Sequence, residues 1–96
     1  MEIFVFARLH ARPGERDALH QAMFAVQGPT RTEPDCLGYG AFQSTRDPDE
    51  FYIHSRWRDG AAFERHAALP HTVRFVETVE PQLDHPFKVT LAEQVW

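Results

Sequence analysis

The chain has 96 residues, 43% hydrophobic and 25% charged, with a formal net charge of −4. That length supports one hydrophobic core, so a single domain over residues 1–96 is expected, and no apolar run nears the roughly 20 residues of a membrane helix. The 10 Lys and Arg are scattered among 14 Asp and Glu, with no basic stripe for a phosphate backbone, so nucleic acid is not an expected partner.

From Glu2 to Ala11 the residues are β-rich, with Ile3, Val5, Ala7 and Leu9 on one face and Phe4, Phe6, Arg8 and His10 on the other. Both faces begin apolar, which predicts helices over one and a second copy of the chain over the other. The chain enters this strand without the basic and small-residue signals of a leader peptide, so a cytoplasmic location is expected. Pro13-Gly14 breaks the strand. An amphipathic helix then runs from Glu15 to about Val26, with Leu19, Ala22, Met23 and Val26 on its apolar side and Gly28-Pro29 ending it.

Cys36 to Thr45 reads as a second strand, with Leu37, Tyr39, Ala41 and Gln43 on one face and Gly38, Gly40, Phe42 and Ser44 on the other. The Arg46-Asp47-Pro48-Asp49 turn makes it one arm of a hairpin. In the other arm Phe51, Ile53, Ser55 and Trp57 alternate with Tyr52, His54, Arg56 and Arg58. Asp59 is placed to cap a helix from Gly60 to Ala68, and Pro70 divides it from a second piece whose inner side should carry Val73, Val76 and Val79. Phe87, Val89 and Leu91 begin a last strand. The order βαββααβ is that of an α+β, ferredoxin-like fold with an antiparallel sheet.

Four stretches carry a resemblance. They are Phe6-Ala7-Arg8-Leu9 with Arg12-Pro13-Gly14, Thr30-Arg31-Thr32-Glu33-Pro34 before Cys36-Leu37-Gly38-Tyr39, Trp57-Arg58-Asp59 through Ala62-Phe63 and His66 to Leu69-Pro70-His71, and Phe87 to Leu91. Together they resemble the antibiotic biosynthesis monooxygenase family, small dimeric α+β barrels whose members oxidise quinols and polyketides without metal or flavin. The resemblance implies a homodimer and a cavity between sheet and helices. It departs at Asp35, where the family commonly has glycine, and at Ser55, where it has a glutamate, so proton chemistry belonging to that glutamate does not carry over. A related haem-degrading branch uses an asparagine, a tryptophan and a histidine at the positions of Ala7, His66 and Val76, and none matches.

The chemistry so implied is cofactor-independent oxygenation of a small electron-rich aromatic or quinol. His66 and His71 are the candidate catalytic bases, because a neutral imidazole can take a phenolic proton. Tyr39, Ser55, Trp57 and Phe63 are the candidate substrate contacts, aromatic walls and hydroxyl donors being suited to a flat oxygenated ring. No metal site is expected, since Pro70 separates the two histidines and no His-Glu-x-x-His pattern accompanies them. Lone Cys36 excludes an internal disulfide and reads as a small core residue. The alternative for the Ser55 departure is a non-catalytic dimeric domain that binds a small ligand or serves as a stress or biosynthetic accessory.

Overall fold

The computed structural model describes residues 1–96. The elements are β1 (Ile3–His10), α1 (Arg16–Arg31), β2 (Cys36–Gln43), β3 (Glu50–Trp57), α2 (Gly60–Ala68), α3 (Pro70–Val79), a 3-10 turn over Glu80–Gln82, and β4 (Lys88–Ala92). The strands form one antiparallel sheet in the order β2-β3-β1-β4, the ferredoxin-like arrangement. No helix is long and apolar enough to cross a membrane.

The two central strands explain the core. Val5, Ala7 and Leu9 of β1 pair with Ser55, Ile53 and Phe51 of β3, all on one face and all buried. Onto that face α1 lays Leu19, Met23 and Val26, and α3 lays Phe75 and Val79. The inner stripe of α3 is Thr72-Phe75-Val76-Val79, spaced i, i+3, i+4, i+7. Val73, expected to face inward, is 43% exposed because a helix cannot hold 73 on the same face as that stripe.

Two local expectations are corrected. Helix α1 does not stop at Gly28-Pro29 but continues to Arg31. Pro29 sits in the last turn, where it removes only one hydrogen bond. Tertiary contacts hold the turn: Thr30 is fully buried, Arg31 Nη2 donates to the Tyr39 carbonyl at 2.9 Å, and Thr32 Oγ1 donates to the Pro29 carbonyl at 2.7 Å. In β2, Cys36 pairs with Trp57 but Gly38 pairs with Arg56, so a β-bulge at Leu37 breaks the alternation. Leu37 is turned outward, and Cys36 instead packs with Val5, Trp57 and Ala62.

The expected cap is present, Asp59 Oδ1 accepting from the Ala62 N–H at 2.8 Å. Asp35, the residue in place of the family's glycine, accepts a hydrogen bond from Arg65 Nη2 at 2.7 Å and forms an ion pair with Arg58 Nη2 at 2.8 Å, tying the start of β2 to the chain just past β3 and to α2.

The other sheet face carries no helix. Phe6, Phe42 and Tyr52 are exposed there, with Phe4 and His54 beside them and the Arg56 guanidinium 5.8 Å from the Phe4 ring centre. So wide an apolar patch on one side of a small chain predicts self-association through this face. Light scattering should give twice the chain mass of 11.1 kDa at micromolar concentration, and Phe6→Glu should return it to the monomer value, since the change buries a charge in the seam. A monomeric wild type contradicts this.

Candidate active site

A partly open cavity of about 300 Å³ lies between the sheet and the three helices. Val5, Ala7, Ile53 and Ser55 form its floor, Val26 and Thr30 of α1 and Phe75 and Val76 of α3 its walls, and Phe63 and His66 of α2 one end. The lining is mostly apolar and contains no Lys, Arg, Asp or Glu. A larger cleft of about 620 Å³ runs past Arg12, Glu80 and Asp84, but it contains none of the candidate catalytic or substrate-contact residues.

The local chain path builds the polar end of the cavity. Pro70 cannot continue α2, and Leu69 is extended with ψ 148°, so the last turn of α2 and the first turn of α3 meet at an angle. His66 and His71 are thereby brought to ring centres 6.2 Å apart. Between them comes Glu33, delivered from the far end of α1. Its Oε2 lies 2.8 Å from His66 Nδ1 and 2.7 Å from His71 Nε2. The Glu33 side chain is only 10% exposed, so this carboxylate needs both partners to offset its lost hydration.

An ionised carboxylate only accepts, which assigns the hydrogens to His66 Nδ1 and His71 Nε2. Thr72 Oγ1, 3.2 Å from His66 Nδ1, is a second acceptor for the same N–H. His66 Nε2 is left with its lone pair. Burial pushes the His66 pKa below its ordinary 6.5, opposed by the hydrogen bond to Glu33, so the ring is neutral at pH 7. It stacks on Trp57 with ring centres 4.4 Å apart. Trp57 Nε1 in turn donates to Ser55 Oγ at 3.0 Å. The serine oxygen is thus occupied as an acceptor, while its own hydrogen remains free to donate.

Of the residues singled out in the sequence, Tyr39, Ser55, Phe63 and His66 line the cavity. Trp57 does not: it is fully buried behind His66 and Ser55 and orients both. His71 also lies off the cavity wall and reaches it only through Glu33. Burial pushes the Tyr39 hydroxyl up to about 12, so it is a donor and not a base. Glu33 and Thr30, part of the second stretch that carries the resemblance, had no expected site role, and neither had Thr72. Thr30 is fully buried, lines the cavity, and its Oγ1 has no partner in the chain.

The sequence profile described as antibiotic biosynthesis monooxygenase matches residues 2–78. The chain belongs to that family. It is 33% identical over 89 residues to the Mycobacterium tuberculosis protein Rv0793, provisionally named a monooxygenase, which covers 93% of this chain and 87% of that one. The Rv0793 structure superposes with a TM-score of 0.94 at 29% identity, covering 99% of this chain and 96% of the other. The Pseudomonas aeruginosa protein PA3566 gives 0.92 at 33% identity, covering 99% and 95%.

As an antibiotic biosynthesis monooxygenase family member, the protein lacks the third-strand glutamate, having Ser55, and its site carboxylate is Glu33. Glu33→Ala should lower the unfolding free energy by about 1–3 kcal/mol for each imidazole N–H left unpaired, with Glu33→Gln milder because one acceptor oxygen survives. Urea denaturation of the two variants checks this, and equal stability of Glu33→Ala and wild type contradicts it.

Proposed function

We propose that the protein is a monooxygenase that needs no metal or organic cofactor and acts on a small, electron-rich aromatic or quinol-type substrate. The observation that carries the reading is His66: a buried, neutral imidazole on the wall of a mostly apolar cavity, its Nδ1–H held by Glu33 and its Nε2 unpartnered. Such a ring is a pre-oriented general base. Its Nε2 takes the phenolic proton. The resulting anion passes one electron to dioxygen, and the superoxide and organic radical join at a ring carbon as a peroxide. The imidazolium returns its proton to that peroxide, and loss of water together with the hydrogen on the same carbon leaves a carbonyl, so one oxygen atom goes to product and the other to water.

The surroundings suit that sequence. Ser55 and Tyr39 supply donors for a developing oxyanion, and the apolar walls keep water from competing. Glu33 stabilises the imidazolium formed in the first step, and His71, on the same oxygen, links that carboxylate to the half-exposed surface. The absence of charged lining residues favours a neutral substrate.

Oxygen uptake by chelator-treated protein with a panel of hydroquinones tests the reading. Wild type should exceed the autoxidation blank, and His66→Gln should lose roughly 10²–10⁴-fold in rate. The neutral base is the active form and its pKa is depressed, so activity should hold as pH falls through 6.5 and disappear only below it. Ligand binding with no uptake above the blank would replace this reading by that of a binding module.

Thr30 gives a separate check. Its hydroxyl has no partner in the empty cavity, so Thr30→Val should leave stability unchanged or raise it. If the hydroxyl meets a substrate oxygen, the same change should raise KM about fivefold, the equivalent of about 1 kcal/mol. A KM equal to that of wild type removes Thr30 from the substrate contacts.

A further inference from the structure

At the opposite end of β1 from the chain's start, three separate segments bring together a second set of histidines and carboxylates. His10 closes β1, Asp47 lies in the β2–β3 turn, and Asp84-His85 follow the 3-10 turn. His10 Nδ1 is 2.7 Å from Asp84 Oδ2, and His85 Nδ1 is bonded to the other oxygen, Asp84 Oδ1. The outer nitrogen, His10 Nε2, is 2.7 Å from Asp47 Oδ2. One nitrogen from each histidine and one carboxylate oxygen lie within 4.8 Å of one another.

We propose that His10, Asp84 and His85 bind a divalent transition-metal cation of the zinc class, with Asp47 orienting His10 from behind. Two imidazole nitrogens and a carboxylate are the donors such an ion selects, whereas magnesium and calcium prefer all-oxygen sets. The role of Asp47 is the persuasive part. A metal-bound histidine characteristically gives its other N–H to a carboxylate, which fixes the tautomer and makes the ligating nitrogen more basic. Here that partner is already in place on Nε2, leaving Nδ1 toward Asp84 and His85.

The Glu33, His66 and His71 cluster has the same residue types but a different arrangement. There a single oxygen serves both rings, and Thr72 closes the remaining side of His66 Nδ1. At the second site Asp84 uses a separate oxygen for each ring, so an ion replacing the shared protons meets both nitrogens and the carboxylate together. Asp84 and His85 also line the open 620 Å³ cleft, through which an ion can enter and keep water ligands. The proposal is independent of the oxygenation reading, because no residue of this set lines the cavity between sheet and helices.

The test is calorimetric titration of Zn²⁺ into chelator-stripped protein near pH 7.5, where an ordinary histidine is neutral. Parallel titrations use His85→Ala, Asp47→Asn and Glu33→Gln. His85 is exposed, so its loss does not threaten the fold, and circular dichroism of each variant verifies that. Wild type should bind one equivalent per chain, Asp47→Asn should weaken binding by about 10–100-fold, and His85→Ala should weaken it at least as much. Glu33→Gln should bind as wild type does, and Mg²⁺ should not bind. Absence of saturable zinc binding, undiminished affinity in His85→Ala, or loss confined to Glu33→Gln would each overturn the assignment.

Discussion

The carboxylate of Glu33 is the point on which the polar half of this molecule turns. It is nearly buried, and a lone anion in that position would cost several kcal/mol of lost hydration. Two imidazoles on one oxygen make it tolerable, and they come from two helices that the chain itself interrupts at Leu69-Pro70. One residue thereby fixes the angle between α2 and α3, the end of α1 relative to both, and the tautomer of the ring at the cavity wall. Structure and chemistry are not separable here, because the bonds that close the helical layer are those that leave His66 Nε2 free.

The same economy is visible in the sheet. β1 and β3 are central strands with apolar residues on both faces, a pattern that a free-standing two-layer domain does not need. One face is satisfied by α1 and α3, and the other presents Phe6, Phe42 and Tyr52 around His54. This was legible residue by residue, since period-2 alternation assigns faces without knowledge of the fold. Element order was legible for a similar reason: Pro13-Gly14, the Asp47-Pro48 turn, Asp59 and Pro70 punctuate the chain at the boundaries the structure has.

Where the reading failed, a long-range contact overruled a local rule. Gly28-Pro29 is a sound stop signal, yet burial of Thr30 and the Arg31 bond to the Tyr39 carbonyl carry the helix past it. Val73 is as apolar as Val76 and Val79, and only the packing of Phe75 selects the stripe that excludes it. At the site, His66, Tyr39, Ser55 and Phe63 were singled out through the family resemblance, and all four line the cavity. Glu33 was not, because its partners are 33 and 38 residues away and nothing local distinguishes it from the other acids. An acidic residue at the end of an apolar helix, just before a proline, was the one available signal.

The bulge at Leu37 has a redox consequence. By resetting the parity of β2 it turns Cys36, the first residue of an edge strand, from solvent into the cluster around Trp57. Partial burial there pushes the thiol pKa up, opposed by a weak contact to the Gly38 carbonyl at 3.6 Å and by the charge of Arg31. The nucleophilic form of a cysteine is the thiolate, and peroxide attack on sulfur follows thiolate content and access. A chain with one sulfhydryl near a strand end therefore keeps it protonated and sheltered. Sulfenic acid formation and disulfide crosslinking between copies are both suppressed by a single extra residue in the backbone.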